Sequence, residues 1–110
     1  MTLNEYQALA QRTSNTTTRN DSLFNAMFGL CGEVGELADH VKKHLFQGHE
    51  FDKAHMIEEA GDVLWYLAEL ARALGVSLEV FAQANIQKLR IRYPSGFDAE
   101  RSINRDEGAR

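Results

Sequence analysis

The sequence has little cysteine and proline and no long apolar runs, and the shortages of cysteine and of apolar runs each exclude a class of protein. Its 110 residues include one cysteine and one proline. Because a single cysteine cannot form a disulfide within the chain, we expect a reducing compartment and predict a cytoplasmic location. No segment approaches the roughly 18 uninterrupted apolar residues of a membrane span, and the first residues lack a basic leader and an apolar stretch, so no membrane partner is predicted.

Positive charge is also scarce. The chain has 12 Lys and Arg residues against 16 Asp and Glu residues, a formal net charge of -4. This balance argues against nucleic-acid binding, which depends on neutralising phosphates with basic side chains. A small anionic ligand would therefore need counter-charge supplied at its own site.

Helix-forming residues are abundant by contrast. Ala, Leu, Glu and Lys recur throughout, and the apolar-polar alternation of strands is rare, which predicts an all-α domain. Thr2, Asp52 and Ser77 are the expected N-caps of the first, third and fourth helices, and Asp21 or Ser22 is the expected N-cap of the second. The chain is therefore predicted to contain four main helices.

The expected ends of these helices predict how they pack. They are expected to end near Thr13, at Gly48, near Leu74 and before Pro94. The turn signal around Gly48 folds the second and third helices into an antiparallel hairpin. The third helix is apolar around most of its circumference, so we predict a hairpin-based bundle of four helices that is completed by homo-oligomerisation. One domain is predicted over residues 1–97, followed by a polar, flexible tail over residues 98–110.

The second helix carries an apolar stripe at the three-four spacing of a buried face. The stripe consists of Leu23, Met27, Leu30, Cys31, Val34, Leu37, Val41 and Leu45. Three glycines, Gly29, Gly32 and Gly35, lie in the same helix, and each costs about 1 kcal/mol relative to alanine. Close helix packing is the predicted main reason for them, and approach of a ligand to the backbone beside Glu33 and Glu36 is a second.

Two carboxylate couples are the features most indicative of chemistry. Glu33 with Glu36, and Glu59 with Asp62, lie three residues apart, so each couple shares one helix face. A single couple of this kind is common on solvated helix faces. Both couples, however, border apolar residues and have no lysine or arginine four residues on, and the hairpin would bring all four acids together. Such a cluster is costly unless a cation neutralises it.

Oxygen ligands indicate which cation is expected. Carboxylates are hard ligands, so the predicted ion is Mg²⁺, with Mn²⁺ as a substitute, and zinc is disfavoured. Mg²⁺ commonly binds through a few carboxylates together with substrate phosphates. The four acids therefore suggest half of a metal-phosphate site.

Three segments together resemble one known family. They are Gly32-Glu33-Val34-Gly35-Glu36-Leu37-Ala38, Glu58-Glu59-Ala60-Gly61-Asp62-Val63-Leu64-Trp65-Tyr66-Leu67 and Asn85-Ile86-Gln87-Lys88-Leu89-Arg90-Ile91-Arg92-Tyr93-Pro94. In this order and spacing they resemble the MazG-like nucleoside triphosphate pyrophosphohydrolases, and the resemblance spans about Leu23 to Phe97. It implies an all-α homodimer or homotetramer that uses Mg²⁺ to cut a nucleoside triphosphate between its α and β phosphates.

The resemblance also implies roles for individual residues. Glu33, Glu36, Glu59 and Asp62 would be the metal ligands, and Asn85 and Lys88 would face the phosphates or support the acids. Because the attacking water must lose a proton, the acid least tightly bound to metal is expected to accept it, and Glu36 or Glu33 is the predicted catalytic base.

Other side chains have two interpretations each. Lys42 and Lys43 are placed to contact phosphates, but equally to complement the dipole at the end of the second helix. Trp65, Phe24 and Phe28 are candidates for stacking on a base, although aromatic residues at helical spacing are more often part of a core. Trp65 is included among the predicted substrate contacts.

The histidines give a weaker signal. His40 and His44 have the spacing of a helical transition-metal pair, and Asp52 with His55 resembles half of a di-iron motif. The acidic couples contain no histidine at the third position, as such a motif requires, so a surface location is the preferred interpretation.

Two alternatives to the enzyme remain open from sequence. One is a non-catalytic helical dimerisation or nucleotide-sensing module that retains the bundle without turnover. The other is a carboxylate-bridged redox metal protein.

Overall fold

The computed structural model describes residues 1–105, which form five α-helices. They are α1 (Leu3–Gln11), α2 (Arg19–Phe46), α3 (Lys53–Ala73), α4 (Leu78–Arg92) and α5 (Ala99–Ile103). Within that range no β-strand is present, and a single isolated bridge joins Pro94 and Gly96. The prediction of an all-α fold is confirmed, with five helices in place of the predicted four. None of the described helices combines the length and the apolar character needed to cross a bilayer.

Side-chain caps explain where the helices begin. The Thr2 hydroxyl accepts a hydrogen bond from the Glu5 backbone N–H at 3.0 Å, as predicted for α1. Asp52 caps α3 in the predicted way. The prediction of Asp21 or Ser22 as the cap of α2 was wrong, because Thr18 caps this helix and accepts from the Asp21 N–H at 3.1 Å. Asp21 therefore lies in the first turn, where its negative charge interacts favourably with the positive end of the helix dipole.

Glycine ends two of the helices. Gly48 and Gly75 have φ angles of 72° and 71°, in the left-handed region that other residues rarely adopt. Beyond α2, the His49 N–H donates to the Lys43 carbonyl at 3.2 Å. The His40 ring then accepts from the Asp52 N–H at 3.1 Å, which ties the turn to the start of α3.

The helices α2 and α3 form the predicted antiparallel hairpin and pack along their length. Their contacts run in opposite directions along the two helices. The facing pairs are Gly29 with Tyr66, Glu33 with Asp62, Glu36 with Glu59, and His40 with His55. This register places all four predicted metal ligands at one level of the hairpin.

The α1–α2 connection is fastened to α3 by polar contacts. The Trp65 indole N–H donates to the Thr13 hydroxyl at 2.8 Å and to the Ala10 carbonyl at 3.2 Å. One turn further along α3, Glu69 is 1% exposed and accepts from Arg72 at 2.7 Å. Glu69 also accepts from the Thr16 hydroxyl at 2.6 Å. Because these contacts join both ends of the connection to α3, it has a defined path beside that helix.

The core of one chain is small. Among the described residues, the buried apolar side chains are Ala26, Ala68, Ala71, Ala73 and Leu78. Within one chain several members of the α2 stripe are not buried, since Met27, Val34 and Leu45 are 45%, 51% and 63% exposed. A helix that packs along one partner buries only the part of its apolar surface that faces that partner.

The chain divides into two compact units, Met1–Leu78 and Glu79–Arg110. The first contains α1, α2 and α3, and the second contains α4 after its first residue together with α5. The predicted division into a domain at residues 1–97 and a tail at 98–110 stays a prediction. Part of that tail forms α5, and residues 106–110 lie outside the described residues.

Candidate metal centre

Three carboxylates meet in the middle of the α2–α3 hairpin. One oxygen from each of Glu33, Glu59 and Asp62 lies within 4.8 Å of the other two. Glu59 is 8% exposed, Glu33 is half-buried and Asp62 is exposed. The cluster is therefore anchored at a buried carboxylate and opens to solvent on one side.

Glu36, the fourth predicted ligand, borders the same cluster. It is exposed on α2, and its side chain contacts Glu59. The structure thus brings the four predicted acids together, although the roles assigned to them stay predictions. Glu36 has more solvent contact than the other residue of its couple, Glu33.

Crowding raises the affinity of these acids for protons. The Glu33 side chain next to Glu59 raises the pKa of Glu59, and burial adds to the increase. Contact with Glu59 and the negative charge of that residue raise the pKa of Glu36. Like charges held close together disfavour ionisation, so neutralisation by a proton or a cation is favourable.

Two oxygens of the cluster are buried without a hydrogen-bond partner in the described chain. They are Oε2 of Glu33 and Oε2 of Glu59. An ionised carboxylate oxygen that is buried and unpartnered is costly, because it has lost water and gained nothing in return. A bound cation would supply the missing interaction. The donor set is made only of carboxylate oxygens, so it fits a hard divalent ion such as Mg²⁺.

An aromatic cleft adjoins the acids on the side away from the hairpin turn. It has a volume of about 290 Å³ and is lined by Glu33, Asp62, Trp65 and Tyr66. Gly29 admits the Tyr66 ring, since a Cβ at this glycine would lie 2.1 Å from Tyr66 Cε1. The predicted substrate contact Trp65 therefore borders the acidic cluster.

The glycines of α2 and the other aromatic candidates differ from expectation. Close packing within the chain accounts for Gly29, whereas the space beside Gly32 and Gly35 is open, so neither glycine is needed for packing inside one chain. Phe24 and Phe28 stack on each other with ring centroids 6.2 Å apart, are 56% and 74% exposed, and do not line the cleft. Sequence spacing alone did not separate these roles.

A second cleft adjoins the acids on the side of the hairpin turn. It measures about 310 Å³ and is lined by Glu36, Asp39, His40, Lys43 and His55. The His55 Nε2 atom is 3.4 Å from Oε1 of Glu59. Two histidines that sequence reasoning assigned to the surface thus border the acidic cluster. The four-residue spacing between His55 and Glu59 was the signal available for that contact.

The two lysines near the end of α2 differ in position. Lys42 and Lys43 both pair with Asp39, at 3.2 Å and 3.0 Å. Lys43 lines the cleft on the turn side, whereas Lys42 is not among the residues that line it. The predicted contact of Lys42 with substrate stays a prediction.

Asn85 and Lys88 lie on α4, three residues apart, and so share one face of that helix. They belong to the second compact unit, while the four acids belong to the first. Asn85 is exposed and Lys88 is half-buried. Their predicted contact with phosphates stays a prediction.

Comparison with known proteins identifies the family of the chain. The family model described as the MazG nucleotide pyrophosphohydrolase domain matches residues 22–97, a range that contains all four acids. The chain is also similar to the "Gene 37 protein" of Mycobacterium phage L5, with 38% identity over 80 residues. That match covers 69% of this chain and 70% of the phage protein. No solved structure gives a significant match.

Proposed function

The chain belongs to the MazG nucleotide pyrophosphohydrolase family, and from this membership and the acidic cluster we propose that it hydrolyses nucleoside triphosphates. The products are a nucleoside monophosphate and pyrophosphate. This activity removes or adjusts nucleotides in the cellular pool. It requires a divalent cation, with Mg²⁺ preferred and Mn²⁺ as a substitute.

One observation carries the proposal. Glu33 and Glu59 each have a buried oxygen without a hydrogen-bond partner in the described chain, and both carboxylates lie in a cluster that Asp62 completes. A helical bundle that needed only packing would be more stable with apolar residues at these positions. The presence of acids at these positions is therefore better explained by a cation site than by a structural role.

The residues of the centre divide the work of hydrolysis. Glu33, Glu59 and Asp62 would hold the cation, which would neutralise the phosphates and lower the pKa of the attacking water. Glu36 is the most solvent-exposed acid on α2 at this site, and it accepts the proton of the attacking water. The water oxygen forms a bond to phosphorus as the bond between the α and β phosphates breaks, and the electron pair leaves with pyrophosphate.

The aromatic cleft supplies a place for the nucleoside. Trp65 and Tyr66 line it beside Asp62, and their rings lie edge to face with centroids 5.0 Å apart. A base that stacks on either ring would be held next to the acids. Asn85 and Lys88 are proposed to contact the phosphates.

The exposed apolar surface of α2 supports a further part of the proposal. Val34 and Leu45 lie on a helix that one copy of the chain covers only in part. Association into a homodimer or homotetramer would cover this surface. We propose that the working enzyme is such an assembly in the cytoplasm, with nucleotides as its partners and neither nucleic acid nor membrane.

A panel of ribo- and deoxyribonucleoside triphosphates, assayed for pyrophosphate release with and without Mg²⁺, tests the activity. The expected result is Mg²⁺-dependent release that Asp62→Asn and Glu36→Gln abolish. Glu58→Gln is the matched control, since Glu58 is exposed on α3 and does not belong to the cluster. Nucleotide binding without release for every base would show the non-catalytic module instead.

A further inference from the structure

The groove between α2 and α3 changes chemistry along its length. On α3, Tyr66 lies four residues after Asp62, and His55 lies four residues before Glu59. At about 1.5 Å of rise per residue, each end lies roughly 6 Å along the helix from the acids. One end is aromatic, the middle is acidic, and the other end carries Lys43 and two imidazoles.

We propose that the cleft on the turn side binds the pyrophosphate part of the substrate through Lys43, His40 and His55. The nucleotide then lies in one direction, with its base at the aromatic end and its distal phosphates toward the hairpin turn. This inference rests on the proposed function and adds a polarity and three binding residues to it. It also predicts selection for triphosphates over diphosphates.

Lys43 is available to a phosphate at little cost. Asp39 holds Lys42 and Lys43 together, at 3.2 Å and 3.0 Å, and these two lysines lower the pKa of the Asp39 carboxyl. If Lys43 turns toward a phosphate, Lys42 still neutralises Asp39. Asp39 is then not left without a cation, so the exchange favours the phosphate contact.

The His40 imidazole adds a donor that needs no positive charge. The Nε2 atom of His40 accepts from the Asp52 N–H, so the neutral ring carries its proton on Nδ1. Phe51 packs against the His40 ring with centroids 5.7 Å apart, and the His55 ring lies 5.5 Å away on the other helix. The ring is thus oriented by neighbours on both sides, and its Nδ1–H is suited to a phosphate oxygen.

Two acids in the same cleft make binding depend on the cation. Glu36 and Asp39 line it with Lys43 and the histidines. The lysines neutralise Asp39, but Glu36 borders the acidic cluster and repels an anion until a cation is bound there. Inorganic pyrophosphate should therefore bind with excess Mg²⁺ and not with EDTA.

Calorimetric titration of the full chain with inorganic pyrophosphate in excess Mg²⁺ tests the inference without turnover. Lys43→Met should weaken pyrophosphate binding about 10-fold, the effect of losing one charge-assisted contact. Lys42→Met is the matched control, because it removes the neighbouring lysine of the same ion pair, and it should weaken binding less. Nucleoside monophosphate binding should be equal in both variants, as should the rise in melting temperature on adding Mg²⁺.

Separate outcomes overturn the inference and the proposed function. Unchanged pyrophosphate affinity in Lys43→Met, or an equal or larger loss in Lys42→Met, would overturn the assignment of the cleft. So would an equal loss of monophosphate and pyrophosphate binding, since that marks a general effect on the site. Absence of pyrophosphate release by the wild-type chain with every triphosphate would instead overturn the proposed function.

Discussion

Replacing Gly29 by alanine should show how packing and helix propensity each contribute to the stability of α2. In the interior of α2, alanine is favoured over glycine by about 1 kcal/mol, because glycine loses more backbone freedom on folding. At Gly29 the new methyl group would lie 2.1 Å from Cε1 and 2.3 Å from Cζ of Tyr66. The variant therefore sets a favourable backbone effect against a steric conflict.

The size of the conflict follows from these distances. Ordinary carbon contacts lie at about 3.5 Å, so the Tyr66 ring must retreat by roughly 1.4 Å or leave its position. Overpacking of this kind costs about 1–3 kcal/mol. The ring cannot retreat freely, because Trp65 packs against it with centroids 5.0 Å apart. After the propensity gain, Gly29→Ala should change the free energy of unfolding by roughly 0 to 2 kcal/mol toward instability.

The control is Gly32→Ala, one turn further along α2. A Cβ at Gly32 meets nothing within 4 Å, so only the propensity gain of about 1 kcal/mol should remain. Urea denaturation of both variants gives the comparison directly, since the propensity contribution cancels between them. Gly29→Ala should be about 1–3 kcal/mol less stable than Gly32→Ala.

A double variant tests whether the Tyr66 ring causes the difference in stability. In a Tyr66→Ala chain, the ring is absent, and Gly29→Ala should stabilise by about as much as Gly32→Ala does in the wild type. If Gly29→Ala stabilises the wild-type chain as strongly as Gly32→Ala, the Tyr66 ring does not occupy the space above Gly29. That result would also contradict the position of Tyr66 as a residue that lines the aromatic cleft.

Three further predictions concern the contacts that position the hairpin. Burial raises the pKa of Glu69, but hydrogen bonds from Thr16 and Arg72 outweigh it, so the pKa lies below its ordinary value. The stabilisation by charged Glu69 is present above the ordinary pKa and is lost as the pH falls through the lowered pKa. Glu69→Gln should thus cost about 2–3 kcal/mol in urea melts at pH 7 and little in strong acid, and a cost independent of pH would contradict this. Trp65→Phe keeps a ring but loses the indole N–H, and should lower stability by about 1 kcal/mol; unchanged stability would show that its bonds to the α1–α2 connection contribute nothing. Thr18→Ala removes the N-cap of α2 and should cost about 1 kcal/mol, more than Asp21→Ala in the same thermal melts, and the reverse order would place the cap where sequence reasoning did.

Local patterns were sufficient for the elements and for the acids. Thr2 and Asp52 cap the helices that their spacing predicted, because a cap depends on residues within one turn. The α2 start was misassigned because Thr18, Asp21 and Ser22 all have suitable side chains, and propensity alone does not rank them.

The convergence of the acids needed only two facts that the sequence contains. A spacing of three residues puts each couple on one helix face, and a glycine-marked turn reverses the chain between them. The register of the hairpin then aligned Glu33 with Asp62 and Glu36 with Glu59. The sequence predicted that the couples would meet but not which acid would be buried.

The amino-acid sequence by itself determined the helices, the hairpin and the family, because these depend on periodicity, caps and motif order. Only the tertiary structure decided which of several similar side chains is buried, which packs against a ring and which lines a cleft. It set Gly29 under Tyr66 while leaving Gly32 open, buried Glu59 rather than Asp62, and placed Lys43 in the cleft on the turn side. The physical reason is that residues one turn apart are alike in sequence pattern, whereas burial and contact depend on the rotation and register of a neighbouring helix.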